Sequence, residues 1–322
     1  LTSPFFSVII PSYNYGKYIT NTIDSLQNQT FTEWECLIID DESSDNTGDI
    51  VREIAARDPR IKYFFQKNTG QSGARNLGLA NSSGKYIQFL DADDYLENHK
   101  FENFHRFIQK NKNADVYYSQ GRLFYDDDIN KRRINYPGLE EEEWTLQVSG
   151  QGDVIIREFL DFNRFLINMP VVNGDLARKF KMDQANQGNE DWDFWMRLAV
   201  NGARFQYITP EGDDFSLLRL HDVSFSTRDI PMTKSRIHMR RSWQKLLTDK
   251  DLFKRNNLKL QASEIALGVL LKKDGQTWEG IKSLYSAVYP FYSLKRSLFA
   301  ILGLFLSGRK TYQLLLKVTG QV

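Results

Sequence analysis

Three aspartates, Asp91, Asp93 and Asp94, follow directly on an apolar run in the stretch KYIQFLDADDYLE, residues 85–97. Carboxylates about 6 Å apart repel by roughly 3 kcal/mol at an effective dielectric near 20, so the crowding calls for an offset. In an extended segment residues i and i+2 point to the same side, which lets Asp91 and Asp93 converge beyond the run. Hard cations such as Mg2+ and Mn2+ take oxygen ligands and keep positions open for a substrate phosphate. A divalent ion carrying a diphosphate is therefore one offset. The other reading makes Asp93 or Asp94 the N-cap of the next helix, which suits Asp94 well.

More reactive side chains stand after neighbouring apolar runs. Pro11-Ser12-Tyr13-Asn14 follow SVII, and Asp40 and Asp41 lead into ESSD after ECLII. Tyr13 could stack on a base and Asp41 accept an imide N–H; equally, Tyr13 is a rim aromatic and Asp41 a turn residue. The stretch NTGQSGARN offers Arg75 in the first turn of a helix, where a cation and open N–H groups make an anion site, or simply a surface arginine. Glu190 and Asp191 open EDWDFWMRLAVNG. The helix dipole favours their charged form, as a general base requires, and it equally explains them as ordinary helix-start acids.

The elements that must position these residues alternate. FSVIIP (6–11), WECLIID (34–40), IKYFFQ (61–66) and KYIQFL (85–90) read as strands. Between them YITNTIDSLQNQ, DNTGDIVREIAARD and SGARNLGLANSS have helical spacing. Such an order predicts an α/β, Rossmann-like domain with a parallel sheet and right-handed crossovers. Ligands in these sheets sit at the carboxyl ends of the strands, where the reactive residues cluster. PSYNYGKY lacks a dinucleotide glycine fingerprint, and no GK[ST] loop is present. A helix over 98–110 and a strand in ADVYYSQ follow. Residues 122–188 look less regular, with a solvated acidic run at Glu140–Glu143, and Gly202 C-caps the helix that begins with Glu190 and Asp191.

The ordered series SVIIPSYNYGKYI, SLQNQTF, ECLIIDDESSDNT, NTGQSGARNLGL, GKYIQFLDADD and EDWDFWMRL resembles the inverting glycosyltransferases of family two, across roughly residues 5–226. That resemblance implies a GT-A fold and a nucleotide-diphosphate sugar donor, UDP by family habit. It implies that Pro11, Tyr13 and Asp41 contact the nucleoside, that Arg75 lies beside the nucleotide, and that Asp91 and Asp93 are the metal-binding D-x-D pair for Mn2+ or Mg2+. Asp191 would be the general base with Glu190 beside it. LLRLHDVSFS is similar to the family's R-x-H-x-x-S-x-S segment, which brings in Arg219 at the phosphates and His221 at the metal or diphosphate. Trp192 and Trp195 lie on a helix stripe with Met196 and Ala199, so they divide between core packing and an acceptor shelf, and at most one should meet sugar. The implied reaction is a single in-line transfer, with inversion, to a hydroxyl of a saccharide, free or lipid-linked, in surface polysaccharide or glycan synthesis.

Two rivals stand against this reading. A haloacid-dehalogenase-type phosphotransferase also ends a strand in D-x-D, but after its first strand rather than its fourth. A nucleotide-sugar-binding subunit without turnover would keep the donor residues; retention of Asp191 argues against it.

The 322 residues carry a net charge of +1 that hides an asymmetry. Residues 1–230 hold 25 Lys and Arg against 36 Asp and Glu, whereas 231–322 hold 17 against 5. This break predicts a catalytic domain over 1–230 and a basic, helical region over 231–322. Within the latter, LFAILGLFL (298–306) lies between Lys295-Arg296 and Arg309-Lys310. Nine apolar residues are too few to span a bilayer of about 30 Å, so the readings are a helix on a membrane surface, a helix packed on the catalytic domain, or a dimer contact. Nucleic acid is not an expected partner, given the acidic first part. The single cysteine, Cys36, sits in an apolar run, and no secretory leader is visible, which points to the cytoplasm or the inner face of its membrane.

Overall fold

The chain divides into two units, residues 1–185 with 190–224, and residues 225–322 with 186–189. The structure, a computed structural model, describes residues 3–125, 128–135, 143–212, 214–220, 229–288 and 294–305. Glu140–Glu142, His221 and the end of the 298–306 run lie outside the described residues.

In the first unit the four expected strands are β1 (Phe6–Ser12), β2 (Trp34–Asp40), β3 (Ile61–Phe65) and β4 (Tyr86–Phe89). They pair in parallel in the order β4-β1-β2-β3. The crossovers are α1 (Ile19–Gln27), α2 (Thr47–Ala55) and α3 (Gly70–Asn81). β1 and β2 are buried along their whole length, as strands covered on both faces must be. Cys36 lies within β2, and burial pushes its thiol up, away from the reactive thiolate. The seam between α3 and β1 is tight: a Cβ on Gly78 would stand 2.3 Å from Ile9 Cγ2. Gly78→Val should therefore cost about 1–3 kcal/mol by overpacking, read as a lower melting temperature.

Beyond Asp94 the pattern is less local. A short β5 (Tyr95–Leu96) precedes α4 (Lys100–Lys110), and β6 (Val116–Tyr118) follows. The stretch expected to be irregular holds β7 (Gly121–Tyr125), β8 (Asp128–Arg133), α5 (Asp153–Asp161), β9 (Pro170–Asn173) and α6 (Gly174–Lys179). β9 enters the main sheet antiparallel between β4 and β6. α7 (Glu190–Val200) comes next, and Gly202 behind it has φ of +84°, the left-handed conformation of a helix stop. β10 (Phe205–Tyr207) closes the seven-stranded sheet, in the order β10-β6-β9-β4-β1-β2-β3. β11 (Ser216–Leu220) joins β5, β7 and β8 in a four-stranded sheet.

The second unit is helical: α8 (Asp229–Trp243), α9 (Lys250–Lys273), α10 (Thr277–Val288) and α11 (Leu294–Phe305). Asp249 caps α9 by accepting from the amides of Asp251 and Leu252 at 3.0 and 2.9 Å. Among the described residues no helix is long and apolar enough to cross a membrane.

Candidate functional site

The ends of β1 and β2 are tied together by side chains. Asn14, with φ of +59°, accepts from the Ser44 amide at 2.8 Å and donates its own amide to Ser43 Oγ at 2.9 Å. Asp40 accepts from the Ser43 amide at 2.8 Å and from the Tyr63 hydroxyl at 2.6 Å. Pro11 is buried within β1, while Tyr13 stands 49% exposed at its end. Asp41 is 3% exposed. Its Oδ1 takes Gln66 Nε2 at 2.6 Å and the Thr69 amide at 2.9 Å, and its Oδ2 takes the Gly70 amide at 2.8 Å. Asp41 thus fixes the loop that starts α3, leaving one lone pair of Oδ2 for another donor.

Arg75 is where the structure departs most from the sequence reading. It is 1% exposed, neither a surface residue nor an open anion site. Its guanidinium bonds Asp91 Oδ1 at 2.6 Å and Glu190 Oε1 at 2.7 Å. The two carboxylates outweigh burial and push the arginine pKa up. Arg75 therefore clamps the turn after β4 to the start of α7, and the D-x-D turn meets the ED pair there.

The D-x-D turn is held from several sides. Thr22 Oγ1 donates to the Ala92 carbonyl at 2.9 Å, and the Asp94 amide to the Asp91 carbonyl at 3.1 Å. Arg219 Nε donates to the Asp93 carbonyl at 2.9 Å. That guanidinium lies over the rings of Tyr18, Phe124 and Tyr95 at 4.7, 4.8 and 5.1 Å. Asp94 is not a helix cap. It is 1% exposed and accepts from Asn168 Nδ2 and the Arg219 amide, both at 2.9 Å, whereas α4 starts only at Lys100. Burial, then Asp93 and Asp91, push its carboxyl well above the usual range. Burial and the fields of Asp93, Asp91 and Asp94 likewise push up the phenol of Tyr15, a neighbour that the sequence did not single out.

At the start of α7 Asp191 accepts from the Trp192 amide at 2.7 Å and from Asn163 Nδ2 at 3.2 Å. Burial, then Glu190 beside it, push the Asp191 carboxyl up to about 7, against the lowering by Arg75. The dipole expectation of a readily charged acid is thus reversed: desolvation wins. The acceptor-shelf reading of the tryptophans also fails. Trp195 is fully buried, and Trp192, 5% exposed, donates its indole N–H to the Phe159 carbonyl at 2.8 Å.

The candidate metal ligands pass a test of donor chemistry. Asp91 and Asp93 offer carboxylate oxygens, the class that Mg2+ and Mn2+ take. Arg75 meets one oxygen of Asp91, Oδ1, at 2.6 Å, and the negative charge that remains at the turn suits a divalent cation. Among the described residues no group of three or more His, Cys, Asp and Glu side chains is placed to hold a metal by itself. A cavity of about 450 Å³ opens elsewhere, between α1 and the smaller sheet, lined by Asn21, Asp24, Tyr95, Glu97 and Arg132. The convergent acids are not part of its wall.

Comparison with known proteins follows the same geometry. Glycosyltransferase EpsJ of Bacillus subtilis (strain 168) is 36% identical over 137 residues, 42% of this chain and 39% of that protein. The chain thus matches well under half the length of that relative. The structure of S. aureus TarS 1-349 in complex with UDP-GlcNAc superposes with a TM-score of 0.69 at 16% identity, covering 98% of this chain and 92% of that one. The mannosyltransferase PcManGT from Pyrobaculum calidifontis, in complex with GDP-Man and Mn2+, superposes at 0.56 with 18% identity, covering 96% and 84%. These likenesses establish the fold: a mixed α/β sheet core like that of TarS, with a helical C-terminal region. The family profile matches residues 7–173, from β1 through the end of β9 and more than half of the sequence, and sets aside the haloacid-dehalogenase alternative. The chain belongs to glycosyl transferase family 2.

Proposed function

We propose that this site transfers a sugar from a nucleoside-diphosphate donor to a hydroxyl of a saccharide acceptor, with inversion at the anomeric carbon. The observation that supports the reading is the pair of ion pairs from Arg75 to Asp91 and Glu190, which ties the D-x-D turn to the start of the helix that carries Asp191. UDP is the proposed nucleotide, supported by the UDP-GlcNAc complex of TarS. Pro11, Tyr13 and Asp41 would line the nucleoside, with the exposed Tyr13 ring as a stacking face.

The Asp191 carboxylate takes the proton of the acceptor hydroxyl. The acceptor oxygen attacks the anomeric carbon from the face opposite the leaving group. The bond from that carbon to the phosphate oxygen breaks, and the nucleoside diphosphate departs with the electron pair. Asp191 then returns its proton to solvent. Asp91 and Asp93 would hold Mn2+ or Mg2+, which supplies positive charge against the leaving diphosphate. Metal and donor should therefore bind together. Arg219 keeps the turn in shape behind them, and His221 is a further candidate at the diphosphate. The basic region from residue 231 onward is assigned to a membrane surface, where a lipid-linked acceptor in surface polysaccharide or glycan synthesis would be presented.

A thermal-shift screen of UDP- and GDP-sugars with Mn2+ tests this. A donor at 100 times its Kd stabilises by about 2.7 kcal/mol. The expected result is a rise in melting temperature that needs Mn2+ and disappears in Asp93→Ala. Failure of every nucleotide sugar to shift the parent, or an Asp93→Ala shift equal to the parent's, would sink the donor assignment.

A further inference from the structure

The acid at the start of α7 is met by a segment that has no regular structure of its own. After α5 the backbone turns extended at Phe162, with φ of −147° and ψ of 152°. Exposure then alternates: Phe162 and Arg164 face solvent, while Asn163 is half-buried and Phe165 fully buried. Three contacts fasten this segment and the end of α5 to α7. The Phe159 carbonyl accepts from the Trp192 indole at 2.8 Å, and the Phe165 ring meets the Trp195 ring edge-on at 5.2 Å. Between these two residues in sequence, Asn163 Nδ2 donates to Asp191 Oδ2 at 3.2 Å. The tryptophans that offer no shelf to a sugar thus set the register in which Asn163 reaches the acid.

The direction of that bond follows from the groups involved. An ionised Asp191 only accepts, and an amide turned the other way would set two acceptors against each other. Asp191 Oδ1 takes the Trp192 amide at 2.7 Å, so each carboxylate oxygen has one donor. Asn163 Oδ1 is buried and has no hydrogen-bond partner among the described residues. An unpaired buried carbonyl is a cost that an apolar side chain of similar size would avoid, so packing does not account for the amide. Its contribution is the N–H on the acid.

We propose that Asn163 is the positioning residue of the proton-accepting carboxylate, its side-chain N–H holding Asp191 Oδ2 while the Trp192 amide holds Oδ1. This deepens the proposed function and rests on Asp191 being the base. A donor on a carboxylate favours the charged form, the form that takes the acceptor proton. Here it opposes burial and Glu190, which push the acid up to about 7. The other charges around Asp191 are Arg75 of α3 with Asp91 on its far side, and Asp193 of α7, which pairs with Arg197. α5, packed against α7, carries the half-buried Glu158 and Asp161, and Arg164 is exposed. None of these groups is altered when Asn163 is replaced.

The Asp191 carboxyl can be titrated without any substrate, by carbon NMR of the full chain labelled at the aspartate carboxyls, its resonance identified by its loss in Asp191→Asn. In the parent it should titrate near 7. Asn163→Leu keeps the bulk and removes the donor, and the titration should move up by about one pH unit. Asn163→Ala removes the donor without adding apolar bulk and should show the same shift. Asn163→Asp sets a second carboxyl beside the base and should move it higher still. The acid limb of UDP-GlcNAc hydrolysis with Mn2+, in which water stands in for the acceptor, should move with the titration, so that the rate of Asn163→Leu at pH 6 falls about tenfold while its plateau stays within about threefold of the parent. A titration that stays in place in Asn163→Leu and Asn163→Ala, an Asn163→Asp value at or below the parent's, or a rate lowered equally at every pH would overturn the proposal. The two readings fail separately. An acid limb that survives in Asp191→Asn removes the base itself, whereas a limb that vanishes there but does not move in Asn163→Leu removes only Asn163.

Discussion

Asp191→Asn is expected to slow sugar transfer by about 10²–10⁴-fold while UDP binding stays at the parent level. The substitution keeps the shape of the side chain and its bond from the Trp192 amide, but removes the basic oxygen. Donor affinity should survive because Asp191 accepts from the Trp192 amide and Asn163, while the Arg75 bridge to Asp91 runs through Glu190. The pH profile supplies the sharper check. With its carboxyl pushed up to about 7, Asp191 is mostly protonated below that pH and cannot accept the hydroxyl proton. Transfer by the parent should therefore climb about tenfold per pH unit in the acid limb and level off above about 7, and the limb should vanish in Asp191→Asn. Stability runs the other way. A carboxyl raised in the folded state favours folding while protonated, and that contribution is lost as pH rises through about 7. At pH 8 Asp191→Asn should then melt no lower than the parent. Transfer by Asp191→Asn at the parent rate would remove the residue from the mechanism.

Arg75→Met should be the most damaging substitution for stability, at about 3–5 kcal/mol, the usual cost of removing one partner from a buried ion pair. Methionine fills much of the arginine stem but leaves Glu190, 5% exposed, facing Asp91 with no cation between them. Repulsion then acts across the seam between β4 and α7, so Mn2+-dependent UDP binding should weaken as well. Arg75→Lys keeps the charge but loses the fork that spans two carboxylates, and it should fall between parent and Arg75→Met. Urea unfolding at constant pH, followed by calorimetric titration with UDP and Mn2+, separates the two effects. A parent-like denaturation midpoint in Arg75→Met would show that the clamp contributes nothing to the fold.

What was legible in the sequence was what local chemistry encodes. β1 to β4 announced themselves as β-branched apolar runs, and the three crossover helices as helical periods, because each buries its own face. The candidate acids were legible for the same reason: they end those runs. Partners distant in sequence were not. Arg75 read as exposed because Glu190, which helps to bury it, lies 115 positions away. Asp94 read as a cap because a helix follows, whereas its partners Asn168 and Arg219 arrive 74 and 125 residues later. β9 and β11 are short, and only their pairing makes them strands. The helix stripe correctly placed Trp192 and Trp195 on one face, but a stripe does not say how deeply it is covered. Asn163 and Asn168 carried no signal, since a lone asparagine in an irregular stretch has no preferred reading.

The antiparallel entry of β9 also sets an order of assembly. β1 to β4 form a contiguous half-sheet, but the far edge of β4 finds its partner only when Pro170–Asn173 has been made. Until then the backbone of Tyr86–Phe89, fully buried in the finished molecule, is a raw edge that another chain can pair with. A nascent chain stalled, or a gene interrupted, ahead of residue 170 would hold β1 to β4 complete and still be a seed for aggregation.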